Sequence, residues 1–194
     1  MHTTPLTALL AELDAALVAT GAPFLEMANP GIDEDEVTAA LADAGLSTPP
    51  TELLEWWRWH NGSRLVQGRY LGATIGPGGW TLLSLDEALA DRARWMELWP
   101  SGSEMPWDPT WLPIAGLGAH TRLAVLLDDS TTERAQVGII DMFDDDTMNT
   151  AERSLAEVVT TWLRALEQRY VWWDAARQAW DMEEPTRPEF RLYS

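Results

Sequence analysis

WLPIAGLGAHTRLAVLLDDSTTERAQVGIIDMF, residues 111–143, holds three short apolar runs with only turn residues between them. "LPIA" (112–115), "TRLAVLLD" (121–128) and "AQVGIIDMF" (135–143) have strand length and are rich in Leu, Ile and Val. Neither gap can hold a crossover helix, so the strands are expected to pair as antiparallel neighbours. That reading sets the fold class as α+β, with a central, mostly antiparallel sheet flanked by helices and an N-terminal helical extension.

Upstream, Gly76-Pro77-Gly78-Gly79 predicts a turn between strands near Tyr70–Ile75 and Trp80–Leu83. "SLDE" then forms a capping box from Ser84 and Glu87, opening a helix that runs to about Trp95–Leu98. "WPSGSEMPWDPTW" (99–111) reads as a loop.

Further back, Thr48-Pro49-Pro50 is expected to start the helix "TELLEWWRW". At about 100° per residue, Leu53, Trp56, Trp57 and His60 share one side, and Glu55, Arg58 and Trp59 the other. Trp59 is therefore either covered by another segment or open to a partner. Asn61-Gly62 is expected to stop this helix, because both tolerate left-handed backbone angles. In the first 45 residues, Thr4-Pro5 should open a helix with Leu6, Leu9, Leu10, Leu13 and Leu17 inward and Gly21 at its end. Asp33, with Glu36 three positions on, should cap another helix that stops at Gly45.

Downstream, "DDDTMNTAE" is expected to open the last long helix, with Asn149 and Glu152 as a cap-like pair. Leu155, Val158, Val159, Trp162, Leu163 and Leu166 would be its buried stripe. "RYVWWDAARQAWDM" suggests a hairpin with strands at 170–173 and 178–182, and the chain after Pro185 reads as irregular. The organisation expected is a helical extension over 1–45, an α+β domain over 46–184 and a tail over 185–194.

Composition narrows the function. The chain has 194 residues, 12 tryptophans and no cysteine, which excludes disulfides and thiolate chemistry and fits a cytoplasmic location. The start, MHTTPLTALL, lacks the basic-then-apolar order of a secretory signal. No apolar run approaches the roughly 18 residues needed to cross a membrane, so no membrane partner is expected. Acidic residues number 31 against 13 basic ones, a net charge of −18, and every basic residue is an arginine. Direct binding to nucleic acid is disfavoured, and a basic protein partner would be attracted. The same acidity can instead serve solubility alone.

Catalytic patterns are scarce. There is no Gly-x-Ser-x-Gly elbow and no phosphate loop, and the three histidines are not spaced as zinc ligands. Asp144, Asp145 and Asp146 fail the calcium-loop pattern, since the turn glycine is missing. They read as a solvated loop or a contact surface, and Asp128-Asp129 likewise. No cofactor or metal is expected, and no catalytic residue is assigned. A hydrolase whose acids act with a metal is the weakest alternative.

The order of motifs resembles a known family. A proline-initiated helix ends in Asn61-Gly62. "WTLLSLDEAL" (80–89), "WLPIA" (111–115), the strands "RLAVLLDD" and "QVGIIDMFDDD", and a terminal helix from "AERSLAEVV" follow. This looks like the SUKH superfamily, which groups bacterial toxin-immunity proteins with a fungal regulator of cell-wall synthesis. The resemblance implies an α+β fold, no catalysis, and direct binding to a cognate toxin, nucleases and deaminases among them. A regulatory interaction module without a toxin is the alternative. Asn61, Gly62, Trp111, Pro113 and Asp128 match as fold determinants. Candidate contacts to a basic toxin are Asp33, Glu34, Asp35, Asp128, Asp129, Asp144, Asp145 and Asp146, with Trp59, Trp99 and Trp107; these are surface expectations rather than motif matches.

Overall fold

A computed structural model of the chain describes residues 5–64, 74–76, 79–101, 107–128, 134–141 and 148–183. In chain order the elements begin with α1 (Leu6–Thr20), α2 (Phe24–Met27), β1 (Ala28–Pro30), α3 (Glu34–Asp43) and α4 (Thr51–Trp59). Then come β2 (His60–Ser63), β3 (Thr74–Ile75), β4 (Trp80–Leu82), α5 (Leu85–Leu98), β5 (Trp111–Leu117), β6 (Thr121–Leu126) and β7 (Gln136–Asp141). The chain closes with β8 (Met148–Arg153), α6 (Leu155–Glu167), β9 (Val171–Asp174) and β10 (Ala179–Met182). The fold is α+β.

Strands β3 to β8 form one six-stranded sheet in sequence order, every pair antiparallel. Three of its strands are those expected from residues 111–143. Alternation along them divides the core into two layers. Leu123, Val125, Leu127, Val137 and Ile139 join one large cluster with α1, α4 and α6. Ala124, Ile140 and the partly buried Leu126 face the other way, against Trp95, Trp107 and Trp111.

Pro113 sits inside a central strand, a position that normally loses a ladder hydrogen bond. The register of β5 against β6 shifts between Pro113 and Ala115, and the bulge accommodates it.

Helix α6 buries every residue of the expected stripe, and Trp162 is fully inaccessible. The five leucines of α1 are also buried, in the same cluster as the sheet. The first helix is thus packed on the common core through α6 and α4. Truncating a residue such as Trp162 to Ala would cost about 3–5 kcal/mol.

Several local expectations need correction. Helix α1 is capped by Pro5 with no side-chain bond, and Thr4 lies outside the described residues. Helix α4 does begin straight after Pro50, as expected, with Pro50 itself at the N-cap and no side-chain bond. Asn61-Gly62 is not simply a helix stop. The helix ends at Trp59, and His60–Ser63 pairs with β1 as a second small sheet. Residues 148–153 pair with β7, so Asn149 and Glu152 do not open α6. The sheet's need for a ladder partner outweighs the local cap pattern. Ser154 and Glu157 supply a full capping box instead, as Ser84 and Glu87 do for α5. Tyr70 to Ala73, expected as strand, lie outside the described residues, as do the residues after 183. The hairpin expected near 170–182 is present as β9 and β10.

Candidate functional site

The acidic run Asp33–Asp35 sits where α3 begins. Asp33 has an extended backbone and accepts a hydrogen bond from the Asp35 N–H at 3.0 Å, so it caps the helix. Glu34 pairs with Arg58 of α4 at 2.8 Å, both well exposed. The loop before α3 is held against α4 by the Ile32 N–H, which donates to the Trp57 carbonyl at 3.0 Å. The result is a shallow acidic shoulder, with Asp33, Glu34 and Asp35 around one arginine and Glu36 following in the first turn.

Asp128 follows Leu127 at the end of β6 and is half-buried. Asp129, Asp144, Asp145 and Asp146 lie outside the described residues. The structure brings Asp33, Glu34 and Asp35 together at the start of α3.

Of the three candidate tryptophans, Trp107 is buried and Trp59 and Trp99 are partly buried against the chain itself. Trp59 stacks on Phe24 at 5.9 Å and donates its indole N–H to Asp14 of α1 at 3.0 Å. Of the two alternatives for Trp59, the covered one describes its environment. Trp107 is 6% exposed and stacks on Trp95 at 6.0 Å, while Trp99 packs beside them. Trp107 packs with Trp95, Trp111 and Ala124 on the second sheet face, which takes it out of the open surface.

A cleft of about 480 Å³ lies between α5 and strands β4–β6. Its floor is an ion pair. The Arg122 Nε donates to Asp91 at 2.6 Å, with both side chains largely buried. Its Nη1 donates to the Thr121 carbonyl at 2.9 Å, and its guanidinium carbon lies 5.3 Å from the centre of the Trp95 ring. Trp95 in turn donates to Asp91 at 3.1 Å. Every strong contact of this cation is internal, so it acts as a brace between α5 and the sheet rather than as a receptor for an anion.

Neither Arg122 nor Glu52 stands out in the sequence as a candidate, and Asn61 does more than end a helix. Glu52, 9% exposed, accepts N–H groups from Ala135 at 2.9 Å and Leu155 at 3.1 Å through one oxygen. It ties the first turn of α4 to the starts of β7 and α6. Burial pushes its carboxyl above the ordinary carboxylate range, while the backbone N–H groups and Arg134 pull it partly back. Asn61, matched to the family only as a fold determinant, accepts from the Leu85 N–H at 2.8 Å and so satisfies an orphan donor of α5. Its own carbonyl takes the Asn29 amide at 2.9 Å. The signals were present: an arginine amid the apolar "TRLAVLL", and a glutamate at the start of an amphipathic helix.

Among the described residues, no group of three or more His, Asp and Glu is placed to hold a metal ion. No helix among them is long and apolar enough to cross a membrane. The molecule is thus an α+β domain on a meander sheet, with internally committed charges where a cleft exists. Residues 31–164 match the SMI1 / KNR4 family (SUKH-1), and the chain belongs to that family. A comparison with curated proteins found no match. Domains of this family serve immunity or regulatory binding roles and are generally non-catalytic.

Proposed function

We propose that this chain is an immunity-type binding protein, which neutralises a basic bacterial toxin in the cytoplasm by covering it. The observation that carries this reading is the family match over residues 31–164. The charge supports it. With −18 net and no lysine, the chain would steer a cationic protein toward itself and repel nucleic acid. A nuclease domain with a positive substrate groove fits that description. The acids at Asp33, Glu34, Asp35 and Asp128 are the described part of the surface offered to it, and Asp129 and Asp144 to Asp146 complete the set.

The test is capture with the tagged chain from its native cells at low and high salt, with partners identified by mass spectrometry. A basic partner whose toxicity disappears when this chain is added supports the reading. Neutralising Asp33, Glu34 and Asp35 together should then slow association and flatten its salt dependence. A cellular partner without toxicity would assign the chain to the regulatory side of the family. A complex indifferent to salt would keep the binding role and reject the electrostatic mechanism.

A further inference from the structure

The chain is larger than its family match. Helix α1 precedes residue 31, and the end of α6, with β9 and β10, follows residue 164. These two additions meet in space. Between them lies an open groove of about 570 Å³, walled by Ala16 and Ala19 of α1, Leu166 of α6, and Val171, Trp172 and Trp173 of β9. Every residue lining it falls outside the matched region. Trp172 is 41% exposed and Val18, on the same helix as the alanines, 63%. A large indole left this open at the edge of an apolar hollow is an anchor of the kind found in protein interfaces.

Charge indicates what would sit there. Glu167 and Arg169 line the groove. Glu12 is exposed and precedes Ala16 and Ala19 by one and two helical turns, on the same face. Asp174 ends β9. Beside the lining pair Glu167 and Arg169, the adjoining stretches of α1 and β9 thus add two more acids, on a chain of −18. A second copy would bring the same excess of negative charge and be repelled. A segment with an apolar anchor and flanking cations is attracted, and the face of Trp172 can take a guanidinium or ammonium.

We propose that this groove is the specificity surface of the protein, taking a lysine- or arginine-bearing apolar segment of its protein partner. The inference rests on the binding function proposed above and deepens it. The family domain supplies the scaffold, and the chain's own additions choose the partner.

The full chain labelled with fluorotryptophan gives a direct readout by fluorine NMR, with Trp172→Phe identifying the Trp172 signal. The probes are a synthetic amphipathic leucine/lysine peptide and its leucine/glutamate counterpart. The lysine peptide should shift the Trp172 signal saturably, and the glutamate peptide should not. Ala19→Arg, at an exposed and helix-compatible position, fills the groove and repels the cation. It should weaken the lysine peptide by about ten-fold or more, with the melting temperature unchanged. An unmoved Trp172 signal, or binding untouched by Ala19→Arg, would overturn the proposal. A dimer in sedimentation velocity that Ala19→Arg dissociates would also overturn it, in favour of a second copy. If the Ala19→Arg chain still neutralises a captured toxin, the groove fails while the immunity reading stands. If the peptide behaves as expected but no toxin is recovered, the immunity reading fails and the groove remains.

Discussion

The Trp111 indole lies against the backbone of Gly138, so closely that a β-carbon at position 138 would fall 2.9 Å from the ring's outer edge. Gly138 pairs with Ala124 in the β6–β7 ladder, and together they make the flat floor on which the tryptophan cluster rests. Gly138→Ala should therefore destabilise the protein by about 1–3 kcal/mol through overpacking. Urea unfolding checks the size. Combining it with Trp111→Leu should cost less than the sum of the two single changes, because the smaller side chain vacates the clash. Additive costs would show that the indole does not set the requirement for glycine.

Asp91 and Arg122 offer a sharper test of the brace between α5 and the sheet. With side chains only 14% and 11% exposed, loss of one partner strands a charge in a poorly hydrated place. Asp91→Ala should cost about 3–5 kcal/mol. Adding Arg122→Leu to Asp91→Ala should recover part of that loss, since no charge then remains to be desolvated. A double variant no more stable than Asp91→Ala would mean that Arg122 contributes mainly through its contact with Trp95.

The Asn61-Gly62 pair acts on α5 from a distance in sequence. Asn61→Ala removes the acceptor for the Leu85 N–H and should cost roughly 0.5–2 kcal/mol, the range of a lost helix cap. Asn61→Asp keeps the acceptor and should stay near the parent. Gly62 has φ +79°, and a β-carbon there would run into the Ser84 backbone. Gly62→Ala should exceed the roughly 1–3 kcal/mol of backbone strain alone, because Ser84 caps α5 and cannot easily retreat. Chemical denaturation of the three variants orders them: Asp mildest, then Ala at 61, then Ala at 62.

Those residues also show how far the sequence could be read. The strands over 111–143 were legible because β-period apolar runs with short gaps admit few topologies. The capping box at Ser84 and the stripe of α6 were legible because both are local in sequence. What could not be read locally was decided by partners far along the chain. Residues 148–153 carry a credible cap pattern, yet β7 recruits them as a strand. His60–Ser63 looks like a helix stop, yet β1, itself unforeseen, pairs with it. Trp107 sits in a loop that composition alone leaves exposed, and its burial comes from Trp95, Trp111 and the sheet's second face, far along the chain. The acids behave in the opposite way. Asp33 to Asp35 could be placed at a helix start from sequence, but the pairing of Glu34 with Arg58 required the fold.

Glu52 gives a prediction in pH. Its carboxyl is raised above the ordinary glutamate value of 4.5, with burial as the largest cause. The folded state therefore holds the proton more tightly than the unfolded chain. The stability this supplies is fully present below the unfolded value and is lost as pH rises through the folded one. The window opens near 4.5 and extends upward. Many other carboxylates titrate there too, so the contribution of Glu52 is read as a difference from Glu52→Gln. The glutamine oxygen can accept both N–H groups that now share one glutamate oxygen. The stability of the parent relative to Glu52→Gln should fall as pH rises across the window. Glu52→Ala should lose stability at every pH, because the Ala135 and Leu155 N–H groups are left buried without an acceptor, at about 1–3 kcal/mol each. A parent and Glu52→Gln that unfold in parallel from acid to neutral pH would mean that the buried carboxylate carries no net penalty, and that its hydrogen bonds and Arg134 offset the burial in full.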